Sequence, residues 1–210
     1  MIIWLVISGA LVTALLASML FVDHPLALLV KETLLAKRTT DFMAADVPDV
    51  LFLFVCIVTP LAWTLYYLDR RRGVRTRRTD FACLVGSVVP LSFIVKHVLK
   101  FAFGRIETRY WLLHPGLPEF RWFSGAEHYN GFPSGHMTVF GVFFLAWAKY
   151  YPERRPVVIG LLSALGVVLI ATDYHYLSDV LAGLSVAFAM VFLYPADTPD
   201  ARCSRRKPVA

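Results

Sequence analysis

The sequence predicts an all-α membrane protein: a polytopic helical bundle with six transmembrane helices and both termini in the cytoplasm. Three observations predict this fold class. Hydrophobic residues make up 58% of the 210 residues and charged residues only 17%, whereas soluble domains carry about 25% charged residues. The apolar residues lie in blocks long enough to cross a bilayer, which takes about 20 residues. The basic residues cluster between these blocks, as is typical of membrane topology.

The first apolar block covers residues 2–22. We predict it to be a retained first span, because no Lys or Arg precedes it to form the start of a signal peptide. Residues 24–43 follow, with apolar residues at helical spacing on one side and several charged residues between them. This pattern fits an amphipathic helix lying in the membrane interface and fits an ordinary connecting helix equally well.

Five further apolar blocks complete the six predicted spans, and each ends at a polar or turn-forming stretch. The fourth span is short, and we expect it to start earlier, at Ser134. We predict a single membrane domain over residues 1–196 and a flexible, basic cytoplasmic tail over residues 197–210. The five blocks are 47–68, 81–99, 137–150, 157–172 and 179–194.

The distribution of basic residues sets the predicted orientation. Six spans place both termini on one side, together with the arginine-rich loop at 70–78 and the turn at 154–155. With Lys149 and the tail, that side holds 13 of the 21 basic residues, so the positive-inside rule makes it cytoplasmic. The net charge of +6 therefore reflects topology, and no nucleic-acid partner is predicted. We expect the bacterial cytoplasmic membrane, with the other face toward the periplasm or exterior.

The three cysteines show neither a CxxC pattern nor a Cys/His ligand spacing; they are Cys56, Cys83 and Cys203. A disulfide framework or a zinc site is therefore not predicted. We expect no metal and no cofactor, and the sequence contains no pattern that specifies an oligomeric state.

Three polar segments are predicted to meet at the non-cytoplasmic face. Lys100 and Arg105 follow the third span, and the string Pro-Ser-Gly-His at 133–136 begins the fourth. His175 and Asp179 lie between the fifth and sixth spans, four residues apart, so they share a face on a helix. Because all three segments fall on the same side of six spans, we expect them to form one site.

The first two segments suit the binding of a phosphoryl group. Lys100 and Arg105 are cations that can bind phosphate and stabilise charge that develops on it. Ser134 and the backbone N–H groups that follow it, beginning with Gly135, would lie at a helix N-terminus, where anions bind. These four residues are therefore predicted to bind phosphate.

The two histidines supply the reactive groups. A carboxylate from Asp179 on one nitrogen of His175 would fix the tautomer and leave the other nitrogen free to attack. His136 would then protonate a leaving alkoxide. The catalytic residues predicted from the sequence are thus His175, His136 and Asp179.

With these motifs the chain resembles the membrane branch of the type 2 phosphatidic acid phosphatase superfamily, from about residue 100 to residue 183. The family pattern is Lys-x6-Arg-Pro, then Pro-Ser-Gly-His, then Ser-Arg-x5-His-x3-Asp. The resemblance implies a metal-independent lipid phosphate phosphatase in which His175 forms a phosphohistidine, Asp179 orients it and His136 is the general acid. It also implies phosphoryl-oxygen contacts from Lys100, Ser134 and Gly135.

Two arginines of the family pattern are absent from their places. Counted from Lys100, the Arg-Pro pair falls on Glu-Thr at 107–108, and the Ser-Arg pair falls on Val-Leu at 168–169. We hypothesise that an arginine of the outer loop replaces them as a phosphate ligand. The candidates are Arg105, Arg109 and Arg121. For the last two, a solvated loop charge is the other interpretation.

Three other functions remain open. Ser134 could be a protease nucleophile with His175 as its base, although the sequence has no Gly-x-Ser-x-Gly elbow. Ser134→Ala would then abolish activity, whereas a phosphatase would keep part of it. A non-catalytic lipid-phosphate binding protein would have no use for both histidines. A transporter is disfavoured because the spans lack the buried charges that a transport pathway needs.

A site near headgroup depth predicts a substrate among the membrane lipids. Phosphatidate, phosphatidylglycerol phosphate, polyprenyl pyrophosphate and lipid A phosphates all fit a lipid phosphate or pyrophosphate substrate. Transfer of the phosphoryl group to another lipid fits the same residues as hydrolysis does.

Overall fold

The computed structural model describes residues 2–34 and 48–195, and within these ranges the chain is helical with no β-strand. The predicted all-α class is confirmed for this part of the chain, and the predicted tail at 197–210 lies outside the described residues. A π-helical turn, Ser18–Val22, and a 3₁₀ turn, Pro152–Arg154, join successive helices. The helices are α1 Ile2–Ala17, α2 Asp23–Thr33, α3 Pro48–Arg71, α4 Arg77–Phe103, α5 Thr108–Leu113, α6 Gly135–Tyr150, α7 Arg155–Ala171 and α8 Leu177–Leu193.

Within the described residues, four helical stretches are long and apolar enough to cross a membrane. Helices α6 and α8 are shorter, with 16 and 17 residues, which is a rise of about 24–26 Å. The number of crossings and the side of each terminus therefore remain predictions. The four stretches are Gly9–Thr33, Val50–Arg71, Arg77–Phe103 and Pro152–Ala171.

The first helical stretch does not end at residue 22. It passes through the π-helical turn directly into α2, and Gly9–Thr33 forms one helix of 25 residues. The predicted break before residue 24 is therefore wrong, while the part of the 24–43 segment beyond residue 34 lies outside the described residues. The physical reason is that Asp23, which looks like a polar end in the sequence, is buried and hydrogen-bonded inside the bundle.

Helices α3, α4, α6 and α8 share the main hydrophobic core. Leu84, Val89, Val142 and Ala187 are fully buried within it. Helices α6 and α8 come very close at Gly183, where a Cβ would lie 2.7 Å from the carbonyl oxygen of Ser134. This close approach sets the first turn of α6 against the first turns of α8, where two of the predicted motifs lie.

The end of α4 turns sharply into the loop that covers these first turns. Gly104 caps the helix in the left-handed region, with φ of 52°, and a Cβ there would lie 2.0 Å from the carbonyl oxygen of Arg121. The N–H of Arg121 donates to the Gly104 carbonyl oxygen at 2.8 Å, and the N–H of Gly131 donates to that of Arg105 at 2.9 Å. The loop is thus pinned over the ends of α4, α6 and α8.

Candidate active site

A cavity of about 470 Å³ opens at this end of the bundle. It brings together three residues predicted from separate segments, namely Lys100, His136 and His175. Its wall on the side of α3 and the middle of α4 is apolar, and its floor and opposite wall are basic and aromatic. The lining residues are Leu51, Phe52, Phe93, Lys96, His97, Lys100, Asn130, His136, Tyr174 and His175.

His175 and Asp179 face each other. The Nδ1 atom of His175 lies 3.6 Å from Oδ2 of Asp179, slightly beyond a direct hydrogen bond, so Nε2 is the nitrogen available to the cavity. The side chains are 4% and 0% exposed. Burial lowers the pKa of His175 below that of an ordinary histidine, and Asp179 opposes this shift only in part. The ring is therefore unprotonated at neutral pH, the form that can act as a nucleophile.

The carboxylate of Asp179 is held from two sides. Its Oδ2 accepts the backbone N–H of Tyr176 at 3.1 Å, and its Oδ1 accepts a guanidinium N–H of Arg105 at 2.7 Å. In addition, the Asp179 carbonyl oxygen accepts the N–H of Ser134 at 2.9 Å. This last bond ties the start of α6 to the start of α8 and so couples the two histidine motifs.

His136 reaches the cavity from the first turn of α6. Ser134 is the N-cap residue, and its Oγ accepts the N–H of Met137 at 3.4 Å. The N–H groups of the first two helical residues, Gly135 and His136, have no acceptor within the helix, so the cavity lies at the positive end of the helix dipole. The ring of Tyr174 packs edge-on to both histidines, with centroid distances of 5.5 Å to His136 and 5.0 Å to His175.

Two lysines of α4 line the cavity one helical turn apart. Lys100 donates from Nζ to the Asn130 carbonyl oxygen at 2.6 Å. Lys96 is 8% exposed, its Nζ lies 4.2 Å from the centre of the Phe93 ring, and its stem occupies the space beside Gly135 that a Cβ would fill. Among the described residues, neither ammonium group has a carboxylate within 4 Å. Sequence reasoning missed Lys96; its spacing of four residues from Lys100 was the available signal.

The three candidate arginines do not line the cavity. Arg109 donates from Nε and Nη2 to the Thr172 carbonyl oxygen at 3.1 and 2.9 Å. Arg121 is exposed and lies over the Tyr129 ring, with its Cζ 4.5 Å from the ring centre. The hypothesis that an outer-loop arginine touches phosphate in place of the missing ones finds no support in these positions.

Arg105 lies behind Asp179, at the centre of a buried polar network. Its guanidinium is 0% exposed. It donates to Asp23 Oδ2 at 2.8 Å, to Ser178 Oγ at 2.5 Å, to Asp179 Oδ1 at 2.7 Å and to Glu119 Oε1 through two nitrogens, at 3.0 and 2.5 Å. Burial alone would lower the pKa of Arg105, but the carboxylates of Asp179 and Asp23 raise it. All five N–H donors are used, so Arg105 orients Asp179 and has none left for phosphate.

Comparison with known proteins gives one family and two relatives. Residues 81–203 match the family model described as the PAP2 superfamily. A lipid A 1-phosphatase of Rhizobium johnstonii is 36% identical over 158 residues, which is 68% of this chain and 64% of the relative. A lipid A 1-phosphatase of Rhizobium etli is 36% identical over 99 residues, which is 47% of this chain and 42% of the relative. The chain thus spans less than two thirds of each relative's length. No solved structure matches significantly.

Proposed function

Because the chain belongs to the PAP2 superfamily, as its resemblance to the type 2 phosphatidic acid phosphatases implied, we propose that it is a membrane phosphatase. It would remove a phosphate monoester or pyrophosphate group from a lipid through a phosphohistidine intermediate. One observation carries the proposal: His175, His136 and Lys100 line a single cavity, with Asp179 directly behind His175.

The proposed first step transfers the phosphoryl group to His175. Nε2 attacks phosphorus, the P–N bond forms, and the bond between phosphorus and the lipid oxygen breaks. His136 donates its proton to the leaving oxygen. The imidazolium that forms on His175 is stabilised by the carboxylate of Asp179. In the second step water attacks phosphorus while His136 takes a proton from that water. The new P–O bond forms, the P–N bond breaks, His175 is neutral again, and inorganic phosphate leaves.

Phosphate is held by cations and by the start of α6. Lys96 and Lys100 line the cavity, and the N–H groups of Gly135 and His136 are at the helix N-terminus. Ser134 supports this role as the cap of the helix. Lys96, which has no carboxylate within 4 Å in the described part of the chain, adds positive charge where the arginines of the family pattern are missing at 107 and 169. The steps use no metal ion, so excess EDTA should leave the rate of phosphate release unchanged.

The site argues against a serine protease. Ser134 is 0% exposed, it caps α6, and it is not among the residues that line the cavity. A nucleophile must reach the reacting atom of the substrate, and the residue of this site that does so is His175.

We propose six spans with the site at the non-cytoplasmic face. Helices α6 and α8 begin beside the end of α4, where the cavity lies, and the arginine-rich loop 70–78 joins α3 to α4 at the opposite end. A cysteine-free variant that carries either Gly73→Cys or Ser124→Cys tests this. An impermeant maleimide should label position 124 in intact cells and position 73 only after permeabilisation; the reverse result would contradict the orientation.

The lipid A 1-phosphatases among the relatives make a phosphorylated lipid A the first substrate to test. Purified protein in detergent is given lipid A, phosphatidate, phosphatidylglycerol phosphate and a polyprenyl pyrophosphate, and inorganic phosphate is measured, with His175→Ala as the control. Release from at least one lipid that His175→Ala abolishes supports the proposal. Binding without release would identify a lipid-phosphate binding protein, and label appearing on a second lipid would identify a phosphoryl transferase.

A further inference from the structure

We propose that Asp23, on the N-terminal helical stretch, is a positioning residue of the active site. It holds Arg105 and Ser178, and these two residues in turn fix the carboxylate of Asp179 against His175. The inference rests on the proposed function, and it deepens that function by assigning a role to a segment outside residues 81–203, the part that matches the family.

The carboxylate of Asp23 uses both oxygens. Oδ2 accepts from Nη2 of Arg105 at 2.8 Å and makes a short hydrogen bond with the hydroxyl of Ser178. Oδ1 accepts the backbone N–H of Ser178 at 3.0 Å and the hydroxyl of Ser18 at 2.7 Å. With an exposure of 1%, the carboxylate is entirely inside the bundle.

Two of the partners of Asp23, Arg105 and Ser178, also determine the position of Asp179. Arg105 bonds directly to Oδ1 of Asp179 at 2.7 Å. Ser178 is the preceding residue in the first turn of α8, and its hydroxyl accepts from Arg105 at 2.5 Å. Asp23 therefore holds both the guanidinium that bonds to Asp179 and the backbone segment to which Asp179 belongs. Removing Asp23 would free one side of Arg105 and let the Asp179 carboxylate move away from His175.

A buried carboxylate at this place is difficult to explain by stability alone. Ionisable groups at membrane depth are costly and are kept mainly where they pair and where function needs them. Three carboxylates, Asp23, Glu119 and Asp179, surround the single guanidinium of Arg105, so the network carries more negative charge than the ion pair requires. If the network only held the helices together, a neutral side chain at position 23 would cost less free energy to bury.

The first test is a double-mutant cycle on phosphate release from lipid A. Asp23→Asn keeps the shape of the side chain and removes its charge. We expect kcat to fall about 10- to 100-fold, the loss typical of one charged hydrogen bond, with KM within about 2-fold. In the Asp179→Asn background the same substitution should cost less than about 3-fold, because a residue that acts through Asp179 has nothing left to position. Equal losses in both backgrounds, or a change in KM alone, would overturn the proposal.

The chain offers a matched control at its other end. Asp69 is also buried, and it bonds to Thr79 and to Arg78, whose side chain is half exposed. Arg78 lies in the first turn of α4 and Arg105 follows its end, which puts the two pairs about 40 Å apart. Asp69→Asn should lower the unfolding temperature and leave both kcat and KM close to their wild-type values. A loss of kcat like that of Asp23→Asn would mean that the loss of any buried carboxylate bonded to an arginine gives the effect.

A second readout does not need a substrate. Diethyl pyrocarbonate modifies unprotonated imidazole, so the pH dependence of His175 modification, read by peptide mass spectrometry, reports its titration. The charged and titratable groups around His175 are Asp179 on α8, Lys96 and Lys100 on α4, His136 on α6 and Glu107 on the outer loop. Asp23→Asn leaves these groups in place but loosens Asp179, and the weaker support of the imidazolium should move the midpoint down by about half a pH unit.

These readouts separate the two claims. If the wild-type protein releases no phosphate from any lipid, the proposed function fails, and the modification midpoint of His175 alone decides the role of Asp23. An unchanged midpoint in Asp23→Asn overturns it. If Asp23→Asn does not fold, Ser18→Ala serves as the milder variant, since it removes a single bond to Asp23. It should lower kcat about 3-fold in the wild type and leave Asp179→Asn unchanged, and equal losses would again overturn the proposal.

Discussion

Arg105 provides the sharpest stability prediction, because its five N–H donors hold four residues together inside the bundle. Arg105→Met keeps a side chain of similar length and removes the charge. The carboxylates of Asp23 and Asp179, both fully buried, would lose the arginine that they share. The variant tests whether Arg105 is a structural and positioning residue or a phosphate ligand.

The expected loss follows from the buried ion pairs. Removing one partner of a buried pair costs about 3–5 kcal/mol, since the other charge stays buried without compensation. For a chain of this size each kcal/mol lowers the unfolding temperature by about 2–4 °C. We therefore expect Arg105→Met to unfold roughly 10 °C below the wild type.

Intrinsic tryptophan fluorescence during heating in detergent measures this difference directly. Arg121→Met is the matched control, because Arg121 is an exposed arginine of the same loop that lies over the Tyr129 ring. A cation–π contact at an exposed site contributes about 1 kcal/mol or less, so this variant should stay within about 4 °C of the wild type. Equal melting of the two variants, with only KM raised in Arg105→Met, would refute the reasoning and restore Arg105 as a phosphate ligand.

Three further predictions concern the turn after α4, the nucleophile and the cavity lysines. Gly104→Ala should destabilise the protein by about 2 kcal/mol or more, because a Cβ would lie 2.0 Å from the Arg121 carbonyl oxygen at a positive φ. Thermal unfolding measures this loss of stability, and a wild-type melting temperature would contradict the geometry. The fall of kcat/KM on the acidic side should have its midpoint below pH 6.5. Burial lowers the pKa of His175, so the unprotonated, nucleophilic ring persists to lower pH. A midpoint above pH 6.5 would contradict this assignment. Lys96→Met should raise KM about 10-fold or more, whereas Lys149→Met should not, because Lys149 lies at the opposite end of α6. Equal effects on KM would mean that Lys96 does not bind the phosphate.

The sequence predicted the parts of the site that are local in the chain. The Pro-Ser-Gly-His string signals a capped helix start, and Ser134 caps α6 as expected. The spacing of four between His175 and Asp179 predicted a shared helix face. The two side chains do face each other, but the helical part of the prediction is wrong, because α8 begins at Leu177 and His175 lies just before its N-cap, Tyr176. A capped helix start depends on a few neighbouring residues, so capping rules can predict it from the sequence.

The missed features are contacts between distant parts of the chain. Asp23 and Arg105 are 82 residues apart, and no local pattern links them. The premise that the spans lack buried charges was wrong, because Lys96 and Asp23 are both buried. The available signal in the sequence was a lone ionisable residue in or beside an apolar block, which indicates a buried charge. The partners of Asp23 became evident only from the meeting of the start of α2, the turn after α4 and the start of α8.

The most direct test of the central claim is to trap the phosphorylated enzyme. Lipid A labelled with ³²P at its phosphates is mixed with the protein, the reaction is quenched within milliseconds, and label on the protein is tested for stability to acid and base. Label that is lost in acid, stable in base and located on His175, present in His128→Ala and absent from His175→Ala, is the predicted result. Phosphate release at the wild-type rate by His175→Ala, or label on another residue, would contradict the account.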